Sequence, residues 1–180
     1  MRMREKTLLN IYPLEMLSRD ELRPSAGAVS GFEMRRAAYP SPTFSRMLYA
    51  GVGGGWNWYE RLAWSDEQWL AYLDRPELEM WVGYRHGTPA GYCELERQEQ
   101  GNVEIVYFGL LPEFIGQGLG GVLLTTCTLD HPYALRNYLA RGFRVFKEVQ
   151  DWVALPPSQA DGFEARRAPL PFTPSLVPKE

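Results

Sequence analysis

Val103-Glu-Ile-Val-Tyr-Phe-Gly-Leu-Leu-Pro-Glu-Phe-Ile-Gly-Gln-Gly-Leu-Gly-Gly121 decides how this chain is read. The first half is apolar and β-branched, which predicts a strand over 102–111 that Pro112 ends. Four glycines follow within six residues, and Val122-Leu-Leu then opens as a helix start. Strand, glycine loop and helix N-terminus together make an anion-binding arrangement, because backbone N–H groups and the helix dipole converge there.

Upstream of this stretch, alternation predicts two further strands, Leu78 to Arg85 and Ala90 to Glu96, with turns at His86-Gly87 and Gln100-Gly101. The three strands form an antiparallel meander. Before them, Ser65-Asp-Glu-Gln68 is a capping-box pattern opening a helix through Trp69-Leu-Ala-Tyr-Leu73. An earlier helix is predicted from Pro42, with Phe44, Met47 and Leu48 as its apolar stripe, ending in a Gly51-Val-Gly-Gly-Gly loop that carries Trp56, Trp58 and Tyr59. Thr7 to Leu17 and Gly31 to Ala38 read as strands, the second stopped by Pro40 and Pro42.

Downstream, Thr125 to Leu129 suits a short strand, and Asp130-His131-Pro132 starts a helix with proline in its favoured early position. Leu135, Tyr138 and Leu139 make the expected buried stripe, Gly142 a left-handed cap, and Phe143 to Val153 a final strand or strand pair. Residues 155–180 hold six of the 14 prolines and little periodicity, so the domain is expected over 1–154 and an extended or disordered tail over 155–180.

With 180 residues, 45% hydrophobic and 23% charged, the chain has the composition of a globular protein. Its longest stretch without a formal charge, Phe114 to Leu129, is shorter than the ~18 apolar residues of a membrane span. No signal-peptide core follows the basic start, which predicts a cytoplasmic protein. A net charge of −3 gives no electrostatic reason to bind nucleic acid. Cys93 and Cys127 are expected as reduced thiols, and with two dispersed histidines they make no zinc site, so no metal is expected. Cys127 and His131, four apart, have the spacing of a thiol–base pair but fall across a strand–helix boundary.

Two segments together resemble the GCN5-related N-acetyltransferase (GNAT) superfamily. Val103 to Gly121 is similar to the family's fourth strand and pyrophosphate loop, and Leu129-Asp-His-Pro-Tyr-Ala-Leu-Arg-Asn-Tyr-Leu-Ala-Arg-Gly-Phe143 to its later helix, whose tyrosine precedes a Gly-Phe turn. The resemblance implies an α/β (α+β) fold with a mixed, mostly antiparallel sheet flanked by helices. It also implies transfer of an acetyl group from acetyl-CoA, as co-substrate, to a primary amine by direct attack. The acceptor is expected to be a small molecule, with neither nucleic acid nor membrane as partner, and the protein a monomer or homodimer.

On the matching positions, Gly116, Gln117, Gly118, Leu119, Gly120 and Gly121 would receive the pyrophosphate, while Leu110 and Leu111 would meet the cofactor where the strand bulges. Glu104 corresponds to the catalytic base of the histone-type members, acting directly or through water, and Tyr138 to the acid that protonates the leaving thiolate. For each, a plain structural reading stands beside this one: a tight turn for the glycines, a paired or solvated strand carboxylate for Glu104, a core tyrosine for Tyr138. Trp56, Trp58, Tyr59 and Trp64 either line an acceptor pocket or pack the core. No Gly-Lys-Ser/Thr sequence follows the loop, which argues against an NTPase.

Two departures from the family qualify the resemblance. Only Val122-Leu-Leu separates Gly121 from Thr125, where an average helix and strand would take ~17 residues. An internal deletion is expected, leaving a stunted third helix and a shortened or absent fifth strand. Ile115 stands where the family usually has arginine or glutamine, and no lysine or arginine occurs between Arg97 and Arg136. Phosphate binding would then rest on backbone dipoles and Gln117, which predicts weak CoA affinity. The alternative is a catalytically silent GNAT-like module that binds CoA weakly or serves as an interaction domain.

Overall fold

The computed structural model describes residues 6–24, 29–117, 119 and 134–154. In chain order these form β1 (Lys6–Ile11), β2 (Leu14–Glu15), β3 (Phe32–Arg36), α1 (Pro42–Gly53), α2 (Asp66–Leu73) and β4 (Leu78–Arg85). β5 (Thr88–Arg97), β6 (Val103–Leu110), α3 (Ala134–Ala140), β7 (Arg144–Val145) and β8 (Val149–Ala154) follow, so the fold is mixed α/β. The stunted helix expected after the glycine loop, the strand expected over 125–129 and the tail expected over 155–180 all fall outside the described residues.

The central sheet has the order β3-β4-β5-β6, with every pairing antiparallel, as the meander predicts. The outer edge of β6 has no strand partner among the described residues. Its turns obey local chemistry: Gly87 and Gly101 both sit at φ +82°, backbone that glycine adopts without a Cβ clash. Elsewhere the two ends of the described chain zip together, β1 on β8 and β2 on β7. The single strand expected over 7–17 is broken at Pro13, which has no N–H for a ladder.

Both helices on the sheet start with a serine cap. Ser41 Oγ accepts the Phe44 N–H at 3.4 Å with Pro42 just inside the helix, and Ser65 with Gln68 forms the full capping box. α1 buries Ser45, Leu48, Tyr49 and Val52, spaced three and four apart, whereas Met47 is 52% exposed and lies off the expected stripe. The helix also runs on through Gly51 to Gly53 instead of ending in a loop. Close packing explains those glycines: a Cβ on Gly51 would stand 2.8 Å from Leu111, and one on Gly53 would collide with Trp58.

Leu48 and Val52 of α1 meet Met80 and Val82 of β4 and Tyr92 of β5 to make the core. The register fixes what else shares that sheet face. Val82, Tyr92 and Gly109 lie abreast, as do Met80, Glu94 and Tyr107, and then Leu78, Glu96 and Glu104. A register shift pairs Glu94 with Tyr107 but Leu95 with Ile105, leaving Val106 as an extra residue, a β-bulge in β6.

Candidate active site

Three carboxylates therefore stand on the helix-bearing face of the sheet, and they are treated differently. Glu94 is fully buried; its Oε2 accepts Arg61 Nη1–H at 2.9 Å and the Tyr72 hydroxyl at 2.7 Å. The Arg61 guanidinium lies over the rings of Tyr72, Tyr107 and Trp64 at 3.9, 4.4 and 4.9 Å. Burial, the largest single influence, works against the guanidinium charge, but Glu94, Tyr72 and Tyr107 together outweigh it, so the Arg61 pKa is raised. Burial, reinforced by Glu94, likewise pushes the Tyr72 hydroxyl up.

Glu96 is held by Arg75 in a two-pronged pair at 2.8 and 3.0 Å, and these hydrogen bonds place its carboxyl below the usual range. Glu104, directly across from Glu96, is exposed. It accepts one hydrogen bond, from Gln98 Nε2 at 2.7 Å, and has no cationic partner among the described residues.

The aromatic residues around this face pack as one cluster. Trp58 meets Tyr107 at 4.7 Å and Tyr49 at 5.6 Å, and Trp69 joins Tyr49 to Trp64. Trp58 and Trp64 thus belong to the packed cluster, each remaining half-buried at its edge. Neither Arg61 nor Glu94 is among the residues expected from sequence. The available signal was a lone glutamate inside the apolar run Ala90 to Leu95 and an arginine set between Trp58 and Trp64.

At the far end of β6 the chain enters the glycine segment. Leu111 donates its N–H to Ala90 O at 2.9 Å, so the preceding Leu110 turns its own N–H toward the outer edge of the strand, as does Phe108. The Leu111 carbonyl accepts Phe114 N–H in a 3-10 turn over Pro112–Phe114. Gly116 has φ +84°, and among the described residues nothing lies within 4 Å of where a Cβ would be. Gln117 spends its side-chain amide on Glu113 O at 2.8 Å, and Leu119 is buried. Gly118, Gly120 and Gly121 lie outside the described residues, as do Cys127 and His131.

β6 brings Leu110, Leu111, Gly116 and Gln117 into one continuous segment and places Glu104 on the order of 20 Å up the strand from Leu110. The bulge expected near Leu110 lies instead at Val106, two residues after Glu104. Tyr138 is 4% exposed on α3; Leu135 is half-buried and Leu139 44% exposed, so only part of the expected stripe is covered. The helix ends at Gly142, φ +97°, as the left-handed cap predicts. Cys93 is buried and its thiol pushed up to about 12, so it supplies no thiolate. Among the described residues no cluster of metal-ligating side chains occurs, and no helix is long and apolar enough to cross a membrane.

In this mixed α/β domain β6, at the edge of the described four-stranded sheet, carries a bulge, stays paired with β5 as far as Leu110 and then runs into a glycine turn. The sequence matches the model of the acetyltransferase (GNAT) family over residues 36–143, more than half the chain, and the protein belongs to that family. Among solved structures it is similar to a GCN5-related N-acetyltransferase from Kribbella flavida, with 17% identity and a TM-score of 0.39 over 82% of this chain. It spans 46% of that protein's length. No curated protein matches the sequence.

Proposed function

We propose that the protein transfers an acetyl group from acetyl-CoA to a primary amine by direct attack of the amine on the thioester. The observation that carries this reading is Glu104: of the three carboxylates on its sheet face it alone has no cation beside it among the described residues, and it stands two residues from the bulge. An alkylamine titrates near ~10.4 and arrives protonated, so attack requires a group that removes the proton.

In this reading the pantetheine arm lies along the outer edge of β6, toward which Phe108 and Leu110 turn their N–H groups, and Leu111 offers its side chain. The pyrophosphate meets the backbone N–H groups of Gly116, Gln117, Gly118, Leu119, Gly120 and Gly121. Glu104 is about 13 Å along the strand from Phe108, so the amine proton travels to it through water. The amine nitrogen bonds to the thioester carbon, the C–S bond breaks, and Tyr138 gives its hydroxyl proton to the departing thiolate. Backbone N–H groups of that outer edge polarise the thioester oxygen.

A second reading, a GNAT-like module without catalysis, draws support from Gln117, whose amide is already spent, and from the run without lysine or arginine. Thiol release from acetyl-CoA over a panel of primary amines separates the two. Glu104→Gln and Tyr138→Phe are each expected to lower kcat/KM more than tenfold with the fold intact; a smaller loss removes the assigned role. No amine-dependent thiol release at all favours the silent module.

A further inference from the structure

The sequence of β6 does not by itself say how the strand should pair. Val103, Ile105, Val106, Tyr107, Phe108 and Leu110 are apolar or aromatic, so a slip of one residue exchanges one such face for another. A strand without clear alternation has a weakly specified register. Yet β6 holds two registers at once, Leu95 opposite Ile105 before the bulge and Glu94 opposite Tyr107 after it.

The choice has a consequence for the outer edge. Were the first register continued without a bulge, Val106 would stand opposite Glu94 and the Tyr107 side chain would pass to the other face of the sheet. The alternation of the ladder would invert with it: Phe108 and Leu110 would turn their N–H groups to β5, and Tyr107 and Gly109 would turn theirs outward. The bulge at Val106 therefore decides which amides face the outer edge.

The groups packed on Tyr107 favour the observed arrangement. Its cross-strand neighbour Glu94, fully buried, accepts Arg61 Nη1–H at 2.9 Å, and the guanidinium so fixed lies 4.4 Å from the centre of the Tyr107 ring. Trp58, in the same connection between α1 and α2, meets that ring at 4.7 Å. The Arg61 backbone N–H reaches the Tyr49 hydroxyl of α1 at 3.5 Å, which ties the arginine to the helix layer. With Val106 opposite Glu94, the guanidinium would lose the Tyr107 ring. Apolar side chains often match a buried ion pair in stability, so stability by itself gives little reason for this one.

We infer that the Arg61–Glu94 pair is a positioning element that locks the bulge at Val106 and so holds the Phe108 and Leu110 amides toward the outer edge of β6. Its effect on catalysis rests on the transferase reading; its effect on the strand does not.

The test compares the wild type with Arg61→Met/Glu94→Leu, both fully folded at the assay temperature. In the double variant the Tyr107 and Gly109 amides should exchange hydrogen at least about tenfold faster, relative to the amides of β4 as an internal reference. Acceleration shared equally by β4, or none, overturns the lock. In amine acetylation the same variant is expected to lose at least about tenfold in kcat, with KM for acetyl-CoA within about twofold, because donors at the edge are displaced while the glycine segment is untouched. Tyr107→Leu, which removes the ring, should reproduce that loss, and adding it to the double variant should cost nothing further. Unchanged kcat, or losses that multiply, contradicts a pair acting through Tyr107. A wild type without amine-dependent thiol release removes the transferase reading, and hydrogen exchange then decides the lock.

Discussion

Glu94 and Arg61 show how much one side chain decides. A carboxylate with no exposure is tolerable only because a guanidinium and a tyrosine hydroxyl reach the same oxygen. Arg61→Met leaves that charge uncompensated and is expected to cost about 3 to 5 kcal/mol in urea unfolding. Arg61→Met with Glu94→Leu should recover part of the loss, since neither charge then remains; a double variant as unstable as the single one contradicts this account of the pair. The contact joins residues 33 apart in the chain. Its components were visible in the sequence, but their meeting depends on how the α1–α2 connection folds over β5, which no local pattern encodes. Glu104, by contrast, was named from a contiguous strand-and-glycine segment that resembles the family, and the structure places it on the sheet face of Glu94 and Glu96.

At the scale of elements, local chemistry was legible and distant pairing was not. The capping box of α2, the glycine turns of the meander and the Gly142 cap are each set by a few adjacent residues, and each forms where its residues predict. Ser65→Ala is expected to cost about 1 kcal/mol by removing the acceptor for Gln68 N–H, measured as a lower urea midpoint at unchanged slope. The pairing of β1 with β8 joins opposite ends of the described chain and left no local trace. The course of α1 through its glycines depends on Trp58 and Leu111 lying close against it.

The Arg75–Glu96 pair ties the end of α2 to β5, and its pH dependence has a definite sign. Arg75 lowers the folded-state pKa of Glu96, so the pair's contribution is present above the free carboxylate value near ~4.3 and is lost as pH falls through the lowered one. Arg75→Gln should therefore be less stable than wild type at about pH 6, with the gap closing below about pH 4. A gap that widens on acidification refutes the assignment. Both side chains are partly exposed, so the effect is expected to be small.

For the whole molecule, the family match spans the meander, the glycine segment and α3, while the shortened connection between Gly121 and Thr125 lies within it and outside the described residues. Catalysis requires that this short connection still leave a cofactor slot beside the outer edge of β6. The thermal unfolding midpoint titrated with acetyl-CoA tests that most directly, because a ligand bound only to the native state at 100 times its Kd adds about 2.7 kcal/mol. We predict a concentration-dependent rise of a few degrees, with a Kd above the low-micromolar range because no lysine or arginine stands near the glycines in sequence. A midpoint that does not move at millimolar acetyl-CoA would contradict the proposed transferase.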